Sequence, residues 1–193
     1  MKYLVIVAGL AFLFLQTSCS TQHAIANYWG DGEIVALPDG GLVQGGGGYE
    51  VRFKRVRLDH PTDVTYRFAG LPKIAWRVEV YFAIEGPKQL EWRRDGTHPK
   101  PPFIEDQSKT LALTLKDADG QVILNYKHKL SEFIWSGGSG AQWLYDDKSL
   151  GFTADPRKKY VLELNIEPDE TLKDYDGYVL FRSGGHEGLS VGF

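Results

Sequence analysis

Several short patterns in this chain have the residue types that chemistry needs. Gly188-Leu189-Ser190-Val191-Gly192 has the spacing of a nucleophile elbow. An elbow must open a helix, with its acid and histidine later in the chain. Here three residues follow Ser190 and His186 precedes it, so the match reads as a chance one in a glycine-rich stretch. Gly45–Gly48 stands before an alternating run with no Lys-Ser or Lys-Thr after it, whereas a phosphate-cradling loop follows a strand and opens a helix. It reads as a turn. Asp117-Ala118-Asp119-Gly120 begins like a calcium loop but lacks the remaining ligands and the distant Glu. Asp-Gly between two alternating runs is a hairpin signal, with Gly120 at positive φ.

Carboxylates gather in 167–177, where Glu167, Asp169, Glu170, Asp174 and Asp176 stand against Lys173 alone. A calcium loop is one use of such a segment. Their spacing matches no known ligand set, so a solvated loop is expected. His23, His60, His98, His128 and His186 form no zinc-type pair with each other or with the single cysteine. Asp59-His60 before Pro61 reads as a turn, and His128 sits on the apolar parity of its run. No metal and no cofactor is expected, and no Ser-His-acid set assembles from spacing.

The five tryptophans carry more information. Trp76 is in phase with an apolar strand face. Trp29 lies near the stretch expected to tether the domain. Trp92, Trp135 and Trp143 fall in the connections 85–109 and 131–159, which also hold four prolines in the first and Gly137-Gly138-Ser139-Gly140 in the second. Long connections without periodicity are often functional. Trp92, Arg93, Arg94, His98, Trp135 and Trp143 are therefore the candidate binding surface, since Trp and Arg dominate binding hot spots. Core-sealing by the indoles is the competing use.

The elements that must position these residues are strands. Val78, Val80, Phe82 and Ile84 alternate with Arg77, Glu79 and Tyr81. Leu111–Leu115, Val122–Tyr126 and Tyr160–Ile166 alternate likewise, each as a strand with one buried face. In Tyr49–Leu58 the apolar parity flips near Lys54-Arg55, which predicts a β-bulge of one extra residue. Val64–Phe68, Tyr178–Phe181 and Glu33–Leu37 are shorter strands. About eight strands with little helix predict an all-β, antiparallel β-sandwich of immunoglobulin-, jelly-roll- or C2-like type. Arg52, Lys54, Arg55 and Arg57 crowd one strand, which argues against a membrane-spanning barrel. If the strands at 75–84, 110–116 and 122–130 run antiparallel in succession, the two long connections begin at one end of the sandwich.

The N-terminus carries an address. Lys2 precedes the 13-residue apolar run Tyr3–Leu15, too short to span a bilayer and about right for a signal-peptide core. Gln16-Thr17-Ser18-Cys19 then resembles the lipobox of bacterial lipoproteins, with Gln16 where those proteins usually have an aliphatic residue. The resemblance covers about twenty residues and implies cleavage before Cys19 and acylation of its thiol, as with palmitate. It divides the chain into a signal peptide (1–18), a lipidated N-terminus and tether (19–32) and one domain (33–193). The mature chain then has 21 basic and 25 acidic residues, a net charge of −4, so no nucleic-acid partner is expected. The expected protein is a membrane-tethered binding or scaffolding module of the bacterial cell envelope without catalytic activity. Its partner is a protein or a glycan, and it is secreted if Cys19 is not acylated. The alternatives are a carbohydrate-binding module using aromatic loop residues and an envelope hydrolase with an unrecognised site.

Overall fold

A computed structural model describes residues 25–37, 48–73, 77–86, 109–132, 134–135 and 142–183. They form an antiparallel β-sandwich of two sheets. Sheet A has the order β1 (Trp29–Gly30), β5 (Thr62–Ala69), β11 (Lys159–Ile166), β7 (Thr110–Asp117), β8 (Val122–Lys129). Sheet B has the order β2 (Glu33–Leu37), β3 (Gly48–Arg52), β12 (Asp176–Ser183), β6 (Val78–Glu85), β10 (Gln142–Phe152), β9 (Ile134–Trp135), with β4 (Val56–Arg57) also on β12. All eight expected strands are present. The twelve described exceed that number because β3 and β4 are separate, and because β1, β9 and β10 had no period-two signal.

The alternating faces meet between the sheets. Leu111, Leu113, Leu115, Tyr160, Leu162, Leu164, Ile166 and Phe68 of sheet A are buried against Tyr49, Val51, Val78, Val80, Phe82, Ile84, Val179 and Phe181 of sheet B. Rings lock the layers at the centre. Phe181 meets Phe68 edge-on at 5.7 Å, and Phe53 lies 5.0 Å from Tyr66 and 4.9 Å from Phe181. Such tilted pairs add about 0.5–1.5 kcal/mol each to burial itself.

The bulge near Lys54-Arg55 is present. Arg52 pairs with Leu180 and Val56 with Gly177, so Phe53, Lys54 and Arg55 face Tyr178 and Val179, three residues against two. The extra residue keeps Val51, Phe53 and Leu58 in one core although their spacing changes parity. A second bulge was not expected. Leu115 pairs with Leu124 but Lys116 with Val122, leaving Ile123 to pack on the core and Val122 58% exposed. Val122 therefore does not share the buried face of Leu124 and Tyr126.

Asp119-Gly120 forms the expected hairpin, as a three-residue loop. Gly120 N–H donates to the Asp117 carbonyl at 3.0 Å, Gly120 has φ +81°, and Asp117 N–H donates to Gln121 O. This is a type I turn closed by a left-handed residue. Buried Asp117 holds it together, its carboxylate accepting from Asp119 N–H, Gln121 N–H and Lys158 Nζ.

Two readings of organisation change. Residues 25–32, assigned to the tether on sequence grounds, are in the sandwich: β1 pairs with β5, and Ile25 and Tyr28 pack on the core. The stretch 131–159 is not a long open connection, because β9 and the eleven-residue β10 occupy it as a hairpin on the edge of sheet B. Its polar middle, Asp146-Asp147-Lys148-Ser149, and a register shift between Asp146 and Gly151 hide its period.

Candidate functional site

The outer face of sheet B is built differently from that of sheet A. Period two sends Glu50, Arg52, Glu79, Tyr81, Ala83, Tyr178, Leu180 and Arg182 to this side, opposite the core residues of the same strands. Register brings them into rows: Glu50, Arg182 and Glu79 in one, Arg52, Leu180 and Tyr81 in the next, Tyr178 and Ala83 in a third. Ala83, Tyr178 and Leu180 form a second buried apolar cluster, with Tyr81 packed against it.

Around that cluster, cations are fixed by carboxylates less exposed than themselves. Arg52 Nε donates to Glu50 Oε1 at 2.5 Å, with side-chain exposures of 53% and 9%. Arg55, brought to this side by the bulge, meets Glu85 Oε2 at 2.5 Å with exposures of 59% and 29%. Its guanidinium also lies 5.8 Å over the ring of Tyr178. The Tyr81 hydroxyl donates to Glu79 Oε2. Arg182 stands between two carboxylates in register, and its Nε has no hydrogen-bond partner. The bond to Glu50 raises the pKa of Arg52, and burial raises that of Tyr178, so at neutral pH the first is charged and the second neutral. The result is two half-exposed guanidinium groups held in place before any partner arrives, which lowers the ordering cost of binding.

Topology links this face to one end of the sandwich. Glu85 ends β6 and pairs with Asp176, which follows Ile166 through a short turn. Ile166 pairs with Leu111 and Thr110 with Lys129. The connections after Glu85 and after Lys129 therefore leave from the same end, as expected, although β6 belongs to sheet B and β7 and β8 to sheet A rather than to one sheet. Trp92, Arg93, Arg94 and His98, in the first connection, lie outside the described residues, as do Cys19 and the signal segment. Trp143 pairs with Ile84, next to Glu85, and Trp135 pairs with Tyr145, so both occupy strands of the β9–β10 hairpin rather than loops.

The remaining candidates resolve into structural roles. In the acidic segment, Asp169 accepts from Thr171 N–H at 2.8 Å as the cap of a 3₁₀ turn (Glu170–Leu172), and Glu167 accepts from Thr110 N–H at 2.9 Å. Among the described residues no group of three or more His, Cys, Asp and Glu is placed to hold a metal ion. Asp59 joins Arg57, through a two-pronged pair at 2.9 and 2.6 Å, to His60 Nδ1 at 2.7 Å. The arginine holds the Asp59 carboxyl down to about 2. Thr62, the hydroxyl of that turn, donates to the carbonyls of Arg57 and His60. His128 is hydrogen-bonded to Glu132 at 3.1 Å and stacks on Tyr126, with its side chain 48% exposed. A cavity of about 350 Å³ at the other end is lined by Lys73, Thr153, Ala154, Asp155, Pro156 and Arg157, and its carboxylate is already spent on Arg157.

Sequence reasoning missed the arginine–carboxylate face. Its signal was present as charged residues at outward positions of three strands, but nothing local says that β3, β12 and β6 are neighbours. No protein-family model matches the chain, and no curated protein matches it.

Proposed function

We propose that this protein is a non-catalytic binding or scaffolding module of the bacterial envelope, acylated at Cys19 and engaging a protein partner through the outer face of sheet B and the end at Glu85. The observation that carries this reading is the pair of half-exposed arginines, each fixed by a less exposed carboxylate. Arginine is among the residue types most enriched in protein-binding hot spots, and these two are held half-exposed above a buried apolar cluster. The connection that holds Trp92, Arg93, Arg94 and His98 follows Glu85, the last residue of β6. A glycan-binding module would instead present exposed, coplanar rings, whereas Tyr178 on this face is 3% exposed beneath Arg55. A hydrolase would need a pocket with converging free polar groups. The carboxylates of this face are engaged with Arg52, Arg55 and Tyr81.

Site-specific photo-cross-linking in cells tests the proposal. A photoreactive residue at Arg55 or Arg93 should capture the same discrete partner, and one at Asn125, exposed on sheet A, should not. Trp92→Ala with Arg94→Ala should weaken that capture and leave the melting temperature nearly unchanged. Equal capture from all three positions, or none from Arg55 and Arg93, refutes the assigned surface.

A further inference from the structure

The outer face of sheet A points the other way, and its end nearest the N-terminus, from Trp29 on one edge strand to Val122 on the other, has a different composition. Trp29, Ala69 and Lys159 share one register row, and Arg67, Val161, Lys116 and Val122 share the next. Trp29 is 55% exposed and Val122 58%. Lys159 Nζ lies 5.9 Å over the Trp29 ring. Lys159 and Arg67 are exposed. Of the nearby carboxylates, Glu163 is taken by Lys116 at 2.7 Å, and Asp31 accepts the Arg67 backbone N–H at 2.6 Å. An exposed indole among cations suits the boundary between water and an anionic lipid surface, where the ring sits among headgroups and the cations meet phosphates.

Chain length supplies the second argument. The sandwich begins by Ile25, which packs on the core, and Asn27 lies against Gly70 at the same end. Five residues lie between Cys19 and Ile25, which makes six steps of chain. Fully extended they reach about 20 Å, less than the width of the domain. A lipid on Cys19 therefore holds this end close to the bilayer.

We infer that the domain rests on an anionic membrane surface through Trp29, Val122, Lys159 and Arg67, with the outer face of sheet B turned away from the lipid. The inference rests on the acylation reading, and the test separates the two. Intact mass of the purified full chain reports acylation by itself. Quenching of tryptophan fluorescence by brominated lipid, in vesicles of phosphatidylcholine with about 30% phosphatidylglycerol, reports contact. Trp29→Phe should remove more than half of the quenching without changing the melting temperature. Lys159→Glu with Arg67→Glu should reduce quenching at least twofold in these vesicles and little in phosphatidylcholine alone. If the mass shows no acyl group, acylation fails, and the same comparison is made on vesicles added to the soluble chain. In either form, quenching that Trp29→Phe leaves unchanged overturns the inference. So does a dimer that Trp29→Phe converts to monomer, which would assign this end to a second copy of the chain.

Discussion

Alanine at Gly70 and alanine at Gly120 separate two costs that usually arrive together. Both glycines are in the left-handed region, at φ +74° and +81°. An L side chain there costs about 1–2 kcal/mol, offset by about 0.4–1 kcal/mol because alanine also restricts the unfolded chain. At Gly120 a Cβ would meet nothing within 4 Å. The net expectation there is a loss of about 1 kcal/mol, and Gly120→Asn should cost less because asparagine tolerates this region. At Gly70 a Cβ would lie 2.0 Å from the Asn27 carbonyl oxygen and 2.7 Å from its carbon, both backbone atoms. No side-chain rotation relieves that clash, so the segment carrying Ile25 and Tyr28 must leave the core. Uncovering two partly buried side chains adds about 2–3 kcal/mol to the conformational cost. Urea denaturation of the purified chain should therefore show Gly70→Ala losing about 3–4 kcal/mol against about 1 for Gly120→Ala. In melting temperature that is roughly 10 °C against 3 °C. Hydrogen exchange at the Tyr28 amide, bonded to Ile25 O at 3.0 Å, should rise only in Gly70→Ala. Equal losses at the two sites would refute the steric argument and the docking of residues 25–28.

Acid should unfold the domain through a few identified carboxyls. Arg57 and Arg157 hold Asp59 and Asp155 at about 2, below the ordinary 3.8, and Lys158 lowers Asp117. A carboxyl lowered in the folded state contributes stability that is present above its unfolded pKa and lost as pH falls through its folded one. The urea midpoint should therefore be flat above about pH 5 and fall between about pH 4 and 2, and Asp117→Asn should make that fall shallower; a midpoint independent of pH would contradict it. Chelator should leave the melting temperature unchanged, because stabilisation by calcium needs a real site, and Asp169 and Glu167 already accept backbone N–H groups. A drop of several degrees that calcium reverses would restore a site to the acidic segment. Cys19→Ala should release the protein from membranes or leave the precursor uncleaved, since acyl chains supply about 0.8 kcal/mol per buried methylene. Equal membrane association of both forms would end the anchor reading.

Much of the fold was legible because burial on one side of a strand writes itself into every second residue. The runs 78–84, 111–115 and 160–166 are strands with those faces inward, and the parity change at Lys54-Arg55 marked a real bulge. Strand faces were harder to read where both sides are covered, and strand bounds where the ladder slips. β12 has five consecutive buried residues, Gly177–Phe181, because Val179 and Phe181 face the core while Tyr178 and Leu180 belong to the outer cluster. β10 is broken by its own register shift, and at the second bulge Val122 and Ile123 are both apolar, so parity alone did not say which of them turns inward.

The amino-acid sequence by itself determined what is local: strand periodicity, the left-handed turn at Gly120, and the apolar run Tyr3–Leu15 shortly before Cys19. Each depends on contacts between residues a few positions apart, or on a pattern that solvent imposes on one strand alone. Only the tertiary structure decided which strands are neighbours. Most successive strands cross from one sheet to the other, so Glu50, Arg182 and Glu79 come from β3, β12 and β6, far apart in the chain, to share one row. Pairing partners are selected by the fit of whole buried faces. That is why the arginine–carboxylate face on one side, and the tryptophan–lysine corner on the other, come into being only when the two sheets close.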